Sequence, residues 1–444
     1  MMTPPNKKVC IFTQFSDISQ AYSLNRIVQD QLKMLLRHQY KPTVIVAESF
    51  EPEGLYADKN VTIKKIPLVP VHNEVKKDET FDEDVENIFN SLMDILKGFD
   101  IVITHDVVYQ PAALKHNVAA RRVAEKLPDL RWLHWIHSAT SPAVLTNLRP
   151  YFGDQYIQTI TRPFPNSLYV FFNYYSVPRI AQNFKVPEDM VAVVHHPSDL
   201  QEVYGLTDEV YKFVLQKKIY EADAIDVYPI RLDRGKQVEY VIKTMAMLKD
   251  FGLSVKVIIV DFHSTGGDKL KYRDDLKNIA IDYGLQQDEL LWTSEYNPFW
   301  EIEVPHEDVM GLMRMSNVFI MPSVSESYSL IVQEAGLNKC VVVLNQDFPP
   351  FRDIFGPNAI FRKYSSNIDV MTGMDGFTKT KYGGDNVSDD ERPNLEKNYH
   401  RGTAGKIAFR LKHDTNLAMS IFLRKYRNLD YIFEHEFEPL FYGN

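Results

Sequence analysis

The sequence predicts an α/β protein made of two doubly wound parallel sheets. Three observations carry that reading. Short apolar runs alternate with longer amphipathic stretches, the rhythm of parallel strands covered by helices. The rhythm runs through the first half, stops at a polar stretch, and begins again. The length, 444 residues, suits two large domains.

The elements follow in order. "KVCIFTQF" is a strand and "NRIVQDQLKMLLRHQ" an amphipathic helix. "PTVIVAES" is the next strand. "FNSLMDILKGF" is a helix leading into the strand "DIVITHD". "AARRVAEKL" is a helix leading into "RWLHWIHS". The strands "SLYVFFN" and "MVAVVHH" close the first half. After the polar stretch, "AIDVYPIRL" is a strand and "QVEYVIKTMAMLKDFG" a helix stopped by Gly252. "SVKVIIVDF", "LLWTS", "NVFIMPS" and "KCVVVLNQ" are further strands. "KYRDDLKNIAIDYG", "HEDVMGLMRMS" and "SLIVQEAGLN" are the helices among them. The predicted boundaries are 1–197 for the first domain, 198–220 for a polar connection, 221–415 for the second domain and 416–444 for an aromatic-rich helical close. A stretch beginning "TGMDGFTKTKYGGDN" has the Gly, Asn and Asp content of a long loop.

Composition sets limits. The chain is 45% apolar and 25% charged, ordinary for a globular protein with a large core. Its two cysteines, Cys10 and Cys340, lie in apolar runs far apart and read as reduced core residues, as in a cytoplasmic protein. No apolar run reaches the length of a membrane span, and the first residues lack the apolar core of a signal peptide. A peripheral membrane contact stays compatible with this. The net charge of −9 argues against a dedicated nucleic-acid binder. Residues 115–162 and 401–427 are nonetheless rich in Lys and Arg, which hints at an anionic partner. "HEFEP" near the end lacks metal-ligand spacing, and no metal site is expected.

In doubly wound sheets, ligands bind outside the carboxyl ends of the strands. Two strand exits in the second half carry chemistry. In "YPIRLDRGKQVE", Arg231 ends a strand and Lys236 stands where the next helix is expected to begin, a pair suited to phosphate. In "PSVSESYSLIVQEAG", Glu326 lies on the loop after a strand and Glu334 about two turns into the next helix. A carboxylate at the second position suits a pair of ribose hydroxyls. The amides at the helix start between them suit phosphate oxygens.

Taken together, the two segments closely resemble family-4 retaining glycosyltransferases of the GT-B architecture. "RLDRGKQVE" resembles that family's R-L-x3-K-G, and "PSVSESYSLIVQEAG" its P-S-x2-E-x-F-G-L-x3-E-A, with seven residues between the two glutamates. "VAVVHHPSDL" and "YIFEHEFEPLFY" resemble its linker entry and its closing segment. The resemblance implies two Rossmann-like domains facing each other across a cleft, with the closing helix returning to the N-terminal domain. It implies a nucleotide-diphosphate sugar as donor substrate and no cofactor. Arg231 and Lys236 would hold the diphosphate, and Glu334 the ribose. Glu326 would meet the transferred sugar, and Tyr328, Ser329 and Leu330 would line the sugar or phosphates. Thr293 and Ser294 would lie near the base. His137, with His105 as the alternative, would face the sugar from the first domain. Ser16 and Asp17 would form the acceptor-side wall.

The chain departs from the family in places. The loop "TQFSDISQAYSLN" lacks the family's glycine pair. Gln237 and Ser329 stand where it has glycine, and Tyr328 where it has Phe. None of these removes a charge that the reaction needs. Breaking a glycosyl–phosphate bond builds negative charge on the diphosphate, which fixed cations offset without a metal, and positive charge on the sugar, which a carboxylate offsets. The acceptor expected from the resemblance is a glycan or a lipid-linked hydroxyl, with a small soluble acceptor such as a sugar phosphate as another option. Rival readings are a viral-type enzyme acting on modified bases in DNA and an inactive binding protein of the same fold.

Overall fold

The computed structural model describes residues 7–18, 23–67, 79–141, 144, 154–232, 234–261, 269–324, 326, 328–364 and 391–443. They form two α/β units. One holds the described residues up to Ser198 together with those from Arg427 onward; the other is Asp199–Tyr426.

The first unit has seven parallel strands: β1 Val9–Phe12, β2 Thr43–Ala47, β3 Thr62–Ile66, β4 Ile101–His105, β5 Arg131–Trp135, β6 Ser167–Phe171 and β7 Val191–Val193. Their order is β3-β2-β1-β4-β5-β6-β7. Strands β1, β2 and β4 are buried along their whole length, which is why they read as continuous apolar runs. Their side chains alternate between two cores. Phe12, Ile45, Val102 and Trp132 pack on one face, and Ile11, Val44, Ile103 and Leu133 on the other. The helix Phe81–Leu96 lays Phe81, Val85, Ile88, Leu92 and Leu96 on the first face, at helical spacing. The helix Ser23–Arg37 covers the second with Leu24, Val28, Leu32 and Leu35.

The second unit has six parallel strands: β8 Ala224–Ile230, β9 Val255–Asp261, β10 Leu290–Trp292, β11 Val318–Met321, β12 Val341–Asn345 and β13 Ile360–Arg362. Their order is β10-β9-β8-β11-β12-β13. The helix Val238–Met247 runs through a tight turn, Leu248–Phe251, and stops at Gly252, whose φ of 72° is the left-handed cap expected there. Both sheets are doubly wound. The strand order reverses between β1 and β4 in the first and between β8 and β11 in the second, and crevices form at such points.

Three boundaries differ from expectation. Residues 199–220 are not a free connection but fold into the second unit as helices Leu200–Tyr204 and Asp208–Gln216. Asp199 and Thr207 cap them, and the Thr207 hydroxyl donates to Asp308 at 2.6 Å. The closing segment divides at Arg427 rather than at 416. The helix Thr415–Tyr426 stays with the second unit, tied by Arg424 to the carbonyls of Met315 and Ala222 and by Lys425 to Asp223. From Leu429 the chain packs on the first sheet, burying Leu429, Ile432, Phe433, Phe437 and Phe441. Each such side chain stabilises by about 1.5–3 kcal/mol when fully buried. Last, the expected long loop after residue 371 lies outside the described residues only as far as 390; beyond it the chain is the helix Arg392–His413.

Among the described residues, no helix is long and apolar enough to cross a membrane. Cys10 and Cys340 are free thiols, and burial pushes the Cys340 thiol up to about 12.

Candidate functional site

The second unit's reversal point brings Lys236 and Glu326 together. Lys236 follows β8 and Glu326 follows β11, adjacent strands of the sheet. Their side chains form an ion pair and are 20% and 16% exposed, so the pair sits at the surface of the crevice and not in the core.

Local backbone contacts explain why they meet. Val324 N–H donates to the Gly235 carbonyl at 3.2 Å, joining the two loops directly. Buried Gln237 donates from Nε2 to the Pro322 carbonyl at 2.5 Å. Buried Asn345 donates to the carbonyls of Pro322 and Ser323 at 3.3 and 3.2 Å. The Tyr228 hydroxyl donates to the Lys236 carbonyl at 3.1 Å. Four donors from three strands and their loops thus fix the two loops that carry the charges.

Two backbone positions there are unusual. Gln237 has φ 50° and Ser329 has φ 72°, the left-handed region in which glycine is at ease. These are two of the positions where the sequence resemblance leads one to expect glycine. The departure is therefore in side chain only; the backbone path a glycine would take is kept. The same geometry shifts two expectations. Lys236 lies on the short turn Arg234–Lys236, and the helix begins only at Val238. The helix after Glu326 begins at Leu330, so Glu334 sits just over one turn into it rather than two.

The remaining expected donor residues separate into two groups. Arg231 leaves β8 exposed at the same crevice. Tyr328 and Leu330 are exposed, and Tyr328 meets Phe355 edge-on at 6.3 Å. Glu334 is half-buried on its helix. Thr293 is different: it is fully buried, with its hydroxyl on the Ile259 carbonyl at 3.4 Å, so its side chain is unavailable to a ligand. Ser294 donates from its amide and its hydroxyl to Asp261 at 3.1 and 2.6 Å. Its polar groups hold the ends of β9 and β10 together.

The first unit's reversal point carries imidazoles. His105 ends β4, and His137 lies two residues beyond β5. His137 Nε2 is 3.1 Å from His105 Nδ1, and His105 Nε2 is 2.9 Å from Gln31 Oε1 on the helix Ser23–Arg37. The His137 ring also stacks at 6.5 Å on His196, which packs on Phe172. The two candidate histidines are therefore not alternatives but neighbours in one cluster. Burial holds His105 well below the ordinary imidazole range, with His137 and His196 adding to the effect. Burial, then His196, brings His137 down to about 4. Asp106, in the left-handed region with φ 55°, accepts the His137 backbone N–H at 3.1 Å, and burial pushes its carboxyl up to about 6. Ser16 and Asp17 are exposed just beyond β1. Gln31, Asp106 and His196 were not foreseen as site residues; only their places at strand ends or on an amphipathic helix marked them.

The two basic segments spend part of their charge inside the fold, although Lys126, Arg162, Arg401, Lys406, Arg410 and Lys412 are exposed. Lys115 is buried against Asp84 at 2.6 Å, and Arg121 donates to the Asn117 side chain and the Arg162 carbonyl at 2.8 and 2.7 Å. Arg122 pairs with Glu86, and Arg131 donates to the Leu440 carbonyl. Arg149 lies outside the described residues. In the second segment Arg401 pairs with Asp250, Lys412 holds the Phe251 carbonyl, and Arg424 and Lys425 hold their helix as above. No group of His, Cys, Asp and Glu among the described residues is arranged to hold a metal ion.

Comparison with known proteins agrees with the second unit's chemistry. Residues 212–367 match the family model described as glycosyl transferases group 1. No curated protein matches the chain. Similar solved structures include a glycosyltransferase from Rickettsia africae, 13% identical over 99% of this chain and 100% of that one, with a TM-score of 0.36. Anabaena HepE in complex with UDP is 13% identical over 96% and 97%, with a TM-score of 0.33. A UDP-forming trehalose-phosphate synthase from Burkholderia xenovorans, in complex with glucose-6-phosphate, is 12% identical over 98% and 100%, with a TM-score of 0.37. At these scores none of their chemistry is carried over to this chain.

Proposed function

We propose that the protein is a retaining glycosyltransferase that moves a sugar from a nucleoside-diphosphate sugar to a hydroxyl acceptor. The observation that carries this is the Lys236–Glu326 pair at the reversal point of a sheet matching the group 1 glycosyltransferase model. Lys236, with Arg231 at the same strand exit, would offset the charge growing on the departing diphosphate as a point charge and a planar fork. No metal is required in this scheme. Glu326 would face the sugar carbon as positive charge develops there. Glu334 would take the ribose hydroxyls. In the free protein Lys236 and Glu326 neutralise each other, and the donor's phosphates would compete for Lys236.

On the first unit, Ser16, Asp17 and His137 would meet the sugar and the acceptor. A neutral carbohydrate or lipid-linked hydroxyl suits this unit better than DNA, because its buried or paired cations (Lys115, Arg121, Arg122, Arg131) are spent on carbonyls and carboxylates. A cytoplasmic enzyme, with or without a peripheral membrane contact, fits this reading. The test is ligand-induced thermal stabilisation with UDP, GDP and ADP and their sugars, on wild type and Lys236→Ala. A ligand that binds only the folded state raises its melting temperature. One nucleotide should stabilise wild type and not the variant. If none stabilises wild type, the donor-site reading is wrong.

A further inference from the structure

Two imidazoles of the first unit and Gln31 form a hydrogen-bonded chain that ends on His137. Gln31 is 2% exposed and His105 3%, so neither trades partners with solvent. Beside them a cavity of about 10 Å³, lined by residues including Gln31, His195 and His196, holds at most one water. With Oε1 the Gln31 atom turned toward it at 2.9 Å, His105 carries its proton on Nε2; the orientation of that amide is part of the inference, since Gln31 Nε2 is buried without a hydrogen-bond partner among the described residues. His105 Nδ1 is then a lone pair, and the 3.1 Å contact requires the proton on His137 Nε2. That leaves His137 Nδ1 unprotonated, with no hydrogen bond from a described residue and no enclosure by the core.

We propose that Gln31 and His105 are positioning residues that lock His137 as the Nε2–H tautomer, so that its Nδ1 accepts a hydrogen bond from a hydroxyl of the bound substrate. This rests on the glycosyltransferase reading and deepens it. A ring free to flip tautomer would offer a donor or an acceptor at the same point; this chain removes the choice. The substrate group it selects is an O–H donor, as on a sugar, and not a carbonyl or phosphate oxygen. The charged and titratable groups facing the cluster are His196 across the His137 ring, Asp106 on its backbone amide, and His195 with Glu436 behind His196. His105, His137 and His196 are all held neutral by burial, which keeps the relay intact near pH 7.

The test reads the tautomer directly, by two-dimensional 15N–1H correlation of the histidine rings in the full-length protein at pH 7. His137→Gln assigns the signal. Wild type should show His137 protonated on Nε2 alone, and Gln31→Met and His105→Phe should return it to a mixture. In parallel, nucleoside-diphosphate release from the sugar nucleotide that stabilises the protein is followed against pH. Gln31→Glu sets a carboxylate on His105 and should move the acid limb of kcat/KM upward by about one pH unit or more. Finding His137 protonated on Nδ1, or the same tautomer in wild type and both variants, would overturn the relay. So would an unmoved acid limb in a folded Gln31→Glu protein. The ring measurement needs no nucleotide, so it stands even if no donor binds and the parent reading fails.

Discussion

The two units share a topology and differ in what stands at their reversal points. In the second, a cation and a carboxylate face each other at the surface of the crevice. In the first, three imidazoles stack and bond, held neutral by burial. The same sheet architecture thus offers a charged end, suited to a leaving anion, and an uncharged end, suited to hydroxyls. The fold does not distinguish them; the residues at four strand exits do.

The largest effect expected from breaking this comparison concerns the tail. Removing residues 427–444 strips five buried apolar side chains from the first unit and none from the second. The first unit should lose its cooperative fold and the second keep it. The four tryptophans report separately, since Trp132 and Trp135 lie in the first unit and Trp292 and Trp300 in the second. Tryptophan-to-phenylalanine pairs in each unit would show which transition vanishes.

Next come the charges. Lys236→Ala should lower sugar-nucleotide turnover by roughly 10²–10³-fold, the usual cost of losing one fixed group that stabilises developing negative charge. Glu326→Gln should also lower turnover, yet tighten nucleoside-diphosphate binding, because Lys236 is released from its pair. His137→Ala should lower turnover with little change in diphosphate Kd. Calorimetric titration against initial rates separates the three. Equal losses of diphosphate affinity in all three variants would erase the distinction between the two ends.

Acid should also divide the units. His105, His116, His134, His137 and His196 in the first unit are all held below the ordinary imidazole value by burial. A depressed histidine stays neutral while the unfolded chain takes up a proton. Its contribution is therefore present above about pH 6.5 and lost as pH falls through the folded value, about 4 for His137. Among the described residues the second unit has one such group, His400, and each unit has an opposite one: burial raises the Asp226 carboxyl in the second and Asp106, to about 6, in the first. Their contributions are greatest at low pH and are lost as pH rises, and Asp106 offsets only part of the loss from the first unit's five histidines. Between pH 7 and 5 the melting temperature read by Trp132 and Trp135 should fall more than that read by Trp292 and Trp300.

Much of this was legible in the residues. Strands β1, β4, β8, β9 and β11 are buried on both faces, so their apolar runs announced them. The edge strands β3 and β13 were missed, because "TIKKI" and "IFR" are short, only partly covered and broken by charged residues. The Lys236–Glu326 pair was legible as two charged strand exits. The burial of Thr293 was not legible, because sequence does not tell which way a strand-end side chain turns. The partners of three cations in the basic segments were illegible for a related reason. Lys115, Arg121 and Arg424 find carboxylates and carbonyls inside the fold, and sequence spacing does not show those partners.

The smallest effect sharpens the view of the second unit's loops. Ser329 and Gln237 both hold left-handed backbone without being glycine, but their side chains differ. The Ser329 hydroxyl is buried with no hydrogen-bond partner among the described residues, whereas Gln237 anchors the Pro322 carbonyl. Ser329→Gly should relieve backbone strain of about 1 kcal/mol at no lost contact, raising the second unit's Tm by roughly 2–4 °C. Gln237→Gly gains the same relief but gives up a hydrogen bond of comparable net worth, about 0.5–1.5 kcal/mol. Its Tm should hardly move. Its turnover should fall, because the Pro322 anchor steadies the loop that presents Glu326. Two glycine substitutions at matching φ, one stabilising and one costing activity, would show that the chain gave up glycine at Gln237 for a tether and at Ser329 for none. Equal behaviour of the two would mean that the Pro322 tether does not position Glu326.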